Sequence, residues 1–277
     1  MQWKVLYEPF RSYGQLIDTL EHRENNKIMQ NCHSSQRTND YKWFGTHNYK
    51  EAVKLLSTGY MEICKDMQKN VAGQTKLNSK LLQNVDHAIP HNAVVGFIPN
   101  VPAAIQNLPQ SMISVNKKPM KRKTLHIIYG VGGSAMEERS YFEKAGTALL
   151  SAVDIIERCG NSTKIDLAFF LSKCGNEFPL PTVCIKNYGE RFSIQKVSFP
   201  LVHTSMFRRI GFRWLETTSM ITNEDFKGGY GQPPSHEQSE EAVRQVLKDG
   251  GVYISNAWIN NHQCSVEEIM KKLEVLS

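Results

Sequence analysis

The sequence has no run approaching the roughly 20 consecutive apolar residues that a membrane-spanning helix needs. Its first residues, MQWKVLYEPF, alternate in the manner of a strand and lack the long apolar core of a signal peptide, so the expected setting is cytoplasmic. The six cysteines (Cys32, Cys64, Cys159, Cys174, Cys184, Cys264) include no C-x-x-C pair, and the nine histidines do not cluster. That excludes a zinc module or a dense disulfide framework and leaves the thiols free and structural. There is no G-x-S-x-G, no Walker motif and no internal repeat.

What is present belongs to an ordinary globular chain. With 277 residues, 40% of them apolar and 22% charged, it can bury its own core, and its formal charge of +6 permits anionic partners without requiring them. A strand is expected over 3–8, then a helix from Tyr13 to Arg23 capped by Ser12. The polar, asparagine-rich stretch 24–40 reads as a mobile loop. Thr46 or Asn48 can cap a helix ending at Gly59, a second helix follows from about Tyr60, and Asn100-Val101-Pro102 suits a short helix.

After the basic run NKKPMKRK the rhythm changes. TLHIIY reads as a buried strand, and 138–159 as a helix with Phe142, Ala145, Leu149, Ala152, Val153 and Ile156 on one face. KIDLAFFL is the next strand, which completes a βαβ unit and predicts a parallel sheet. Strands are expected over 181–188, 192–199 and 252–255, and helices over 201–215, 236–247 and after Ser265. The fold class is α/β, a doubly wound and mostly parallel sheet (120–277), preceded by a mainly helical part (1–119).

The glycine-rich corner YGVGGS stands where such folds place ligands. It has no lysine for a phosphate, Ala135 where a third glycine belongs, and Glu137 and Glu138 to repel an anion. Asp154 and Asp166 read as ordinary ion-pair members rather than metal ligands. Lys117, Lys118, Lys121, Arg122 and Lys123 form a basic run able to contact a phosphate backbone. In MFRRIGFRW, arginines interleave with aromatics, which on a helix means a buried aromatic face with arginines at its margin. His203, His236 and His262 read as exposed loop histidines.

The order of strand, polar corner, helix YFEKAGTALLSAVDIIERCG and strand KIDLAFF resembles the opening of a von Willebrand factor A-like domain. The first aspartate of that family's metal motif is absent here and only Ser134 matches a ligand, so the resemblance implies the fold without the metal. WFGTHNYKEAVKLLSTGY, VVGFIPNVPAAIQNLPQSM and GTALLSAVDIIERCG together resemble a family of uncharacterised tailed-bacteriophage proteins, which implies a phage origin and no assigned activity. The expectation is a binding protein with no cofactor, acting in the host cell on a host or phage protein complex, able to form homo-oligomers and not membrane-bound. DNA or RNA is the alternative partner. The candidate binding residues are the basic run, Ser134, and Tyr230 in a long glycine-rich loop.

Overall fold

A central strand buried on both faces, β5 (Thr124–Val131), organises the structure. It pairs in parallel with β6 (Ser162–Phe169) on one side and β8 (Val252–Ser255) on the other, with Ile127 opposite both Ile165 and Val252. The computed structural model describes residues 3–38, 40–63, 90–115, 123–171, 173–228, 230, 233–247 and 250–275. By contact these belong to two compact units, Met1–Gly73 with Thr124–Ser277, and Gln74–Lys123.

In the larger unit β7 (Glu177–Lys186) runs antiparallel to β6, and β1 (Lys4–Phe10) runs parallel to β7, giving the order β1-β7-β6-β5-β8. The sheet is thus α/β and mostly parallel, with its N-terminal strand supplied from outside the expected 120–277 segment. α1 (Tyr13–His22) starts where Ser12 accepts from Gln15 N, and it buries Leu16 and Leu20. The polar stretch after it is seated in the core through Met29, Cys32 and Ser35, so composition alone misjudged that loop.

α2 (Tyr41–Phe44) ends at left-handed Gly45, and α3 (Tyr49–Thr58) is capped by Asn48. The helix expected from Tyr60 falls largely outside the described residues.

The crossover helix α5 (Arg139–Arg158) buries the expected face, and also Ala148, Leu150 and Ile155. It is enclosed because helices pack on it away from the sheet. One of them, α6 (Ile194–Val202), occupies the segment expected as a strand. FSIQKVSF alternates polar and apolar residues, but Ser193 caps the segment and Ile194, Val197 and Leu201 also recur at helical spacing. Packing against α5 selects that second pattern: a methyl on Gly146 would collide with the Leu201 carbonyl.

The next segment is a π-helical turn, Met206–Gly211, that leads into α7 (Phe212–Thr217). α8 (His236–Val246) begins with a full capping box at Ser235 and Gln238. α9 (Asn256–Asn261) follows β8 directly, and α10 (Val266–Lys272) is capped by Ser265.

The smaller unit is a three-stranded antiparallel sheet, β2 (Pro90–Ala93), β4 (Met112–Val115) and β3 (Ile98–Pro99), with α4 (Val101–Ile105) capped by Asn100. It exposes Val94, Val95, Phe97 and Ile105 to the extent of 69%, 80%, 63% and 76%.

Candidate functional site

The chain leaves β5 through α5 toward β6, while β8 adds on the opposite side, so the strand order reverses between β5 and β8. Crevices at the C-terminal ends of strands at such a reversal are where open α/β sheets bind ligands. Here the crevice is divided by the glycine corner into two recesses, of about 480 Å³ and about 200 Å³.

The corner is packed rather than open. A methyl on Gly130 would come within 2.6 Å of Phe170 and of the Tyr253 hydroxyl, and one on Gly133 within 2.9 Å of Phe142. Gly132 donates its N–H to Asn256 Oδ1 (3.3 Å) and its carbonyl accepts from Asn256 Nδ2 (2.7 Å). Ser134 Oγ accepts from Met136 N at 3.2 Å. The glycines make room for aromatic rings, and Asn256 occupies an amide that a phosphate would need.

Against the outer side of this corner lies the larger recess. Trp43 reaches it from α2 and donates its indole N–H to the Ala135 carbonyl at 2.9 Å. Phe44, Phe207, Phe212 and Tyr230 complete an aromatic wall, with Phe212 stacked on Tyr230 at 4.5 Å. The Tyr230 hydroxyl accepts from Ser34 N (2.8 Å) and donates to the buried carboxylate of Glu216. Glu216 also accepts from Ser35 N at 3.0 Å and from the Ser35 hydroxyl. Burial raises the Glu216 pKa despite these bonds and nearby Arg213. Burial and the Glu216 charge in turn hold Tyr230 in its neutral phenol form.

The π-helical turn places two adjacent arginines beside this wall, both fully buried rather than at the margin. Arg209 donates to Thr46 Oγ1, Thr46 O, Ser35 O and Arg37 O, and its guanidinium lies 4.0 Å from the centre of the Phe44 ring. It ties the 34–46 segment to the core. Arg208 lines the recess itself, donating to Trp43 O (2.6 Å) and Glu137 O, with its guanidinium 4.2 Å from the Trp43 ring centre. Burial lowers the pKa of each to about 10.

The smaller recess holds His236, whose Nδ1 is 2.8 Å from Ser255 Oγ and whose ring stacks on Tyr253 at 5.2 Å. Ser255 is only 5% exposed and its oxygen also caps α9 by accepting from Trp258 N at 3.0 Å. Burial lowers the His236 pKa. His236 is therefore half-buried and His203 fully buried, against the expectation of exposed loop histidines, because both rings stack on aromatic neighbours. His262 is exposed, stacked on Trp258.

Of the residues singled out in the sequence, Ser134 and Tyr230 line the same recess although 96 positions separate them in the chain. Lys123 is exposed and precedes the first residue of β5, whereas Ser134 lies beyond its last. Lys117, Lys118, Lys121 and Arg122 lie outside the described residues. Asp166 forms an ion pair with Lys164 (3.0 Å) and a hydrogen bond with His126 Nε2 (2.6 Å), and Asp154 forms an ion pair with Arg158 (2.8 Å). Among the described residues no group of three or more His, Cys, Asp or Glu is placed to hold a metal, Cys32, Cys159, Cys174, Cys184 and Cys264 are free, and no helix is long and apolar enough to cross a membrane.

Sequence reasoning missed Trp43 and Phe44, and placed Arg208 at the margin of a buried aromatic face rather than within it. The signal for Arg208 was present: two adjacent arginines flanked on both sides by Met206, Phe207, Ile210 and Phe212 cannot both reach water from one enclosed turn.

Residues 2–277 match a family model described as Domain of unknown function (DUF7192). No curated protein matches the chain, and no solved structure does.

Proposed function

The chain belongs to the DUF7192 family, whose description names no activity, and from the geometry of the sheet edge we propose that it is a binding protein that receives part of a protein partner there. The observation that carries this reading is the recess of about 480 Å³, built from Trp43, Phe44, Phe207, Phe212 and Tyr230 with Arg208 in its wall. A concave, mostly aromatic recess with a few convergent polar groups suits the side chains of a partner. Aromatic residues and arginine are also the types that dominate binding energy at protein interfaces.

Two further features support a protein over a nucleic acid. The smaller unit exposes Val94, Val95, Phe97 and Ile105, apolar surface that a phosphate backbone does not cover. In MFRRIGFRW, Arg208 and Arg209 spend their donors on interior carbonyls and hydroxyls. The finer fold reading, a von Willebrand A-like domain without its metal motif, is supported by the β5–α5–β6 unit and the corner between β5 and α5. The partner class is a host or phage complex, in keeping with the resemblance to phage proteins.

The test uses Ala135, which lines the recess with an exposed side chain while its carbonyl holds Trp43. Ala135→Trp fills the recess from its mouth without removing any bond described above. Affinity capture with the wild-type chain is expected to recover a stoichiometric protein partner, and capture with Ala135→Trp to lose it at an unchanged melting temperature. Equal recovery by both, or recovery of nucleic acid alone, refutes the reading.

A further inference from the structure

His236 and Ser255 meet on the wall of the smaller recess, and partner binding at the larger recess uses neither. Ser255 is the last residue of β8, so it stands at the C-terminal end of a parallel strand, where open α/β sheets present reacting groups. Its hydroxyl and His236 Nδ1 are 2.8 Å apart, within the range for a nucleophile and its base. Burial lowers the His236 pKa, so the ring is a neutral imidazole with one acceptor nitrogen. Nε2 faces Glu240 Oε2 at 3.8 Å, which favours the tautomer protonated there and leaves Nδ1 to accept from Ser255. Stacking on Tyr253 fixes the ring plane, and the capping box of Ser235 and Gln238 fixes the first turn of α8 that carries it. Trp258 N donates to the Ser255 oxygen at 3.0 Å, which leaves the hydroxyl proton for His236.

The glycine corner lies beside this pair. Gly130 pairs in register with Ser255, and Asn256 holds Gly132. The next two N–H groups, those of Gly133 and Ser134, donate to no described residue, and both residues line the smaller recess. Unengaged backbone donors near a serine and histidine pair are what the oxyanion of a tetrahedral intermediate needs. Among the described residues Glu137 is the one acidic member of the lining, and no lysine or arginine accompanies it, which favours an uncharged substrate over a phosphate ester.

We propose that the smaller recess is an esterase site for uncharged carboxylic esters with small acyl groups, with Ser255 as nucleophile, His236 as general base and acid, and Glu240 as a positioning residue. The volume of about 200 Å³ sets the limit on the acyl group. Ser255 Oγ bonds to the carbonyl carbon as its proton passes to His236 Nδ1. The ester C–O bond then breaks, and the leaving oxygen takes that proton from Nδ1 and departs as an alcohol. Water, deprotonated by the same nitrogen, attacks the acyl carbon, and the proton returns to Ser255 as the free acid leaves. Ester and water become acid and alcohol, and the protein ends as it began.

The full chain is treated with an alkyl fluorophosphonate, from which Ser255 Oγ displaces fluoride, and the adduct is located by peptide mass spectrometry. An adduct on Ser255 is expected in the folded wild-type chain and in neither the heat-denatured chain nor His236→Ala. Hydrolysis of p-nitrophenyl acetate is expected to fall about 100-fold or more in kcat/KM in His236→Ala and in Ser255→Ala. Glu240→Gln is expected to lower kcat about tenfold at unchanged KM, a split that loss of its ion pair with Arg244 alone does not produce. Ser255→Ala also removes the cap of α9, so labelling of the wild-type chain decides. No adduct on Ser255, equal labelling of the denatured chain, or ester hydrolysis unchanged in His236→Ala overturns the proposal. Ala135 lines the larger recess and not the smaller, so the two readings fail separately. A partner captured by the wild-type chain and lost in Ala135→Trp, with Ser255 unlabelled, sinks the esterase and leaves the binding reading standing.

Discussion

Acidification from pH 7 to pH 5 is expected to cost the fold about 2 kcal/mol through one side chain, His203. The ring is 5% exposed, stacked on Phe199 at 5.0 Å and edge-on to Tyr60 at 4.9 Å, and its Nδ1 accepts from Ser205 N at 3.1 Å. Burial, with a smaller effect from Arg139, pushes its pKa down to about 3. The unfolded chain takes up a proton near pH 6.5 and the folded chain does not, so this contribution is fully present above pH 6.5 and is lost as pH falls toward 3. The unfolded state gains a factor of about 33 in weight at pH 5 against about 1.3 at pH 7, and RT ln of that ratio is about 2 kcal/mol.

Urea unfolding of the wild-type chain and His203→Asn at both pH values isolates the effect, because every other titrating group is common to the two. Asparagine retains an acceptor for Ser205 N and has no proton to gain. The wild-type chain should lose about 2 kcal/mol more than the variant between pH 7 and pH 5. Parallel losses would refute the assignment of a buried neutral imidazole.

Two structural predictions test the frame around the recess. Asn256→Ala removes both bonds to Gly132 and should lower stability by about 1–3 kcal/mol in urea unfolding, with a change below about 0.5 kcal/mol contradicting the role of Asn256 as the corner's clamp. Gly146→Ala drives a methyl into the Leu201 carbonyl where α5 and α6 touch and should cost about 1–3 kcal/mol. A neutral or stabilised variant would show that the two helices do not approach as described.

Local signals made much of the fold legible. Ser12, Asn48, Asn100 and Ser265 each cap the helix expected after them, since a short polar side chain that accepts from a backbone N–H three residues on acts within one turn. The α5 face repeats at helical spacing, and β5 reads as an apolar run because it is covered on both faces. The stretch 192–199 satisfied both the strand and the helix pattern, and only its packing against α5 separates them. The 24–40 segment was misread because its burial depends on distant groups: Arg209 and Glu216 satisfy the polar atoms of Ser35.

What the sequence determined by itself is the α/β alternation, the capped helices, and the position of the glycine corner at the end of β5, all properties of residues close in the chain. It also established that the corner lacks the lysine, third glycine and aspartate of the familiar phosphate and metal motifs. The tertiary structure alone decided why the glycines are there, by setting Phe170, Tyr253 and Phe142 against them, and that Asn256 fills the amide of Gly132. It alone brought Trp43, Ser134, Arg208 and Tyr230 to one recess. Their convergence is fixed by strand order and by one π-helical turn, and contacts between such distant positions leave no periodicity in a single sequence.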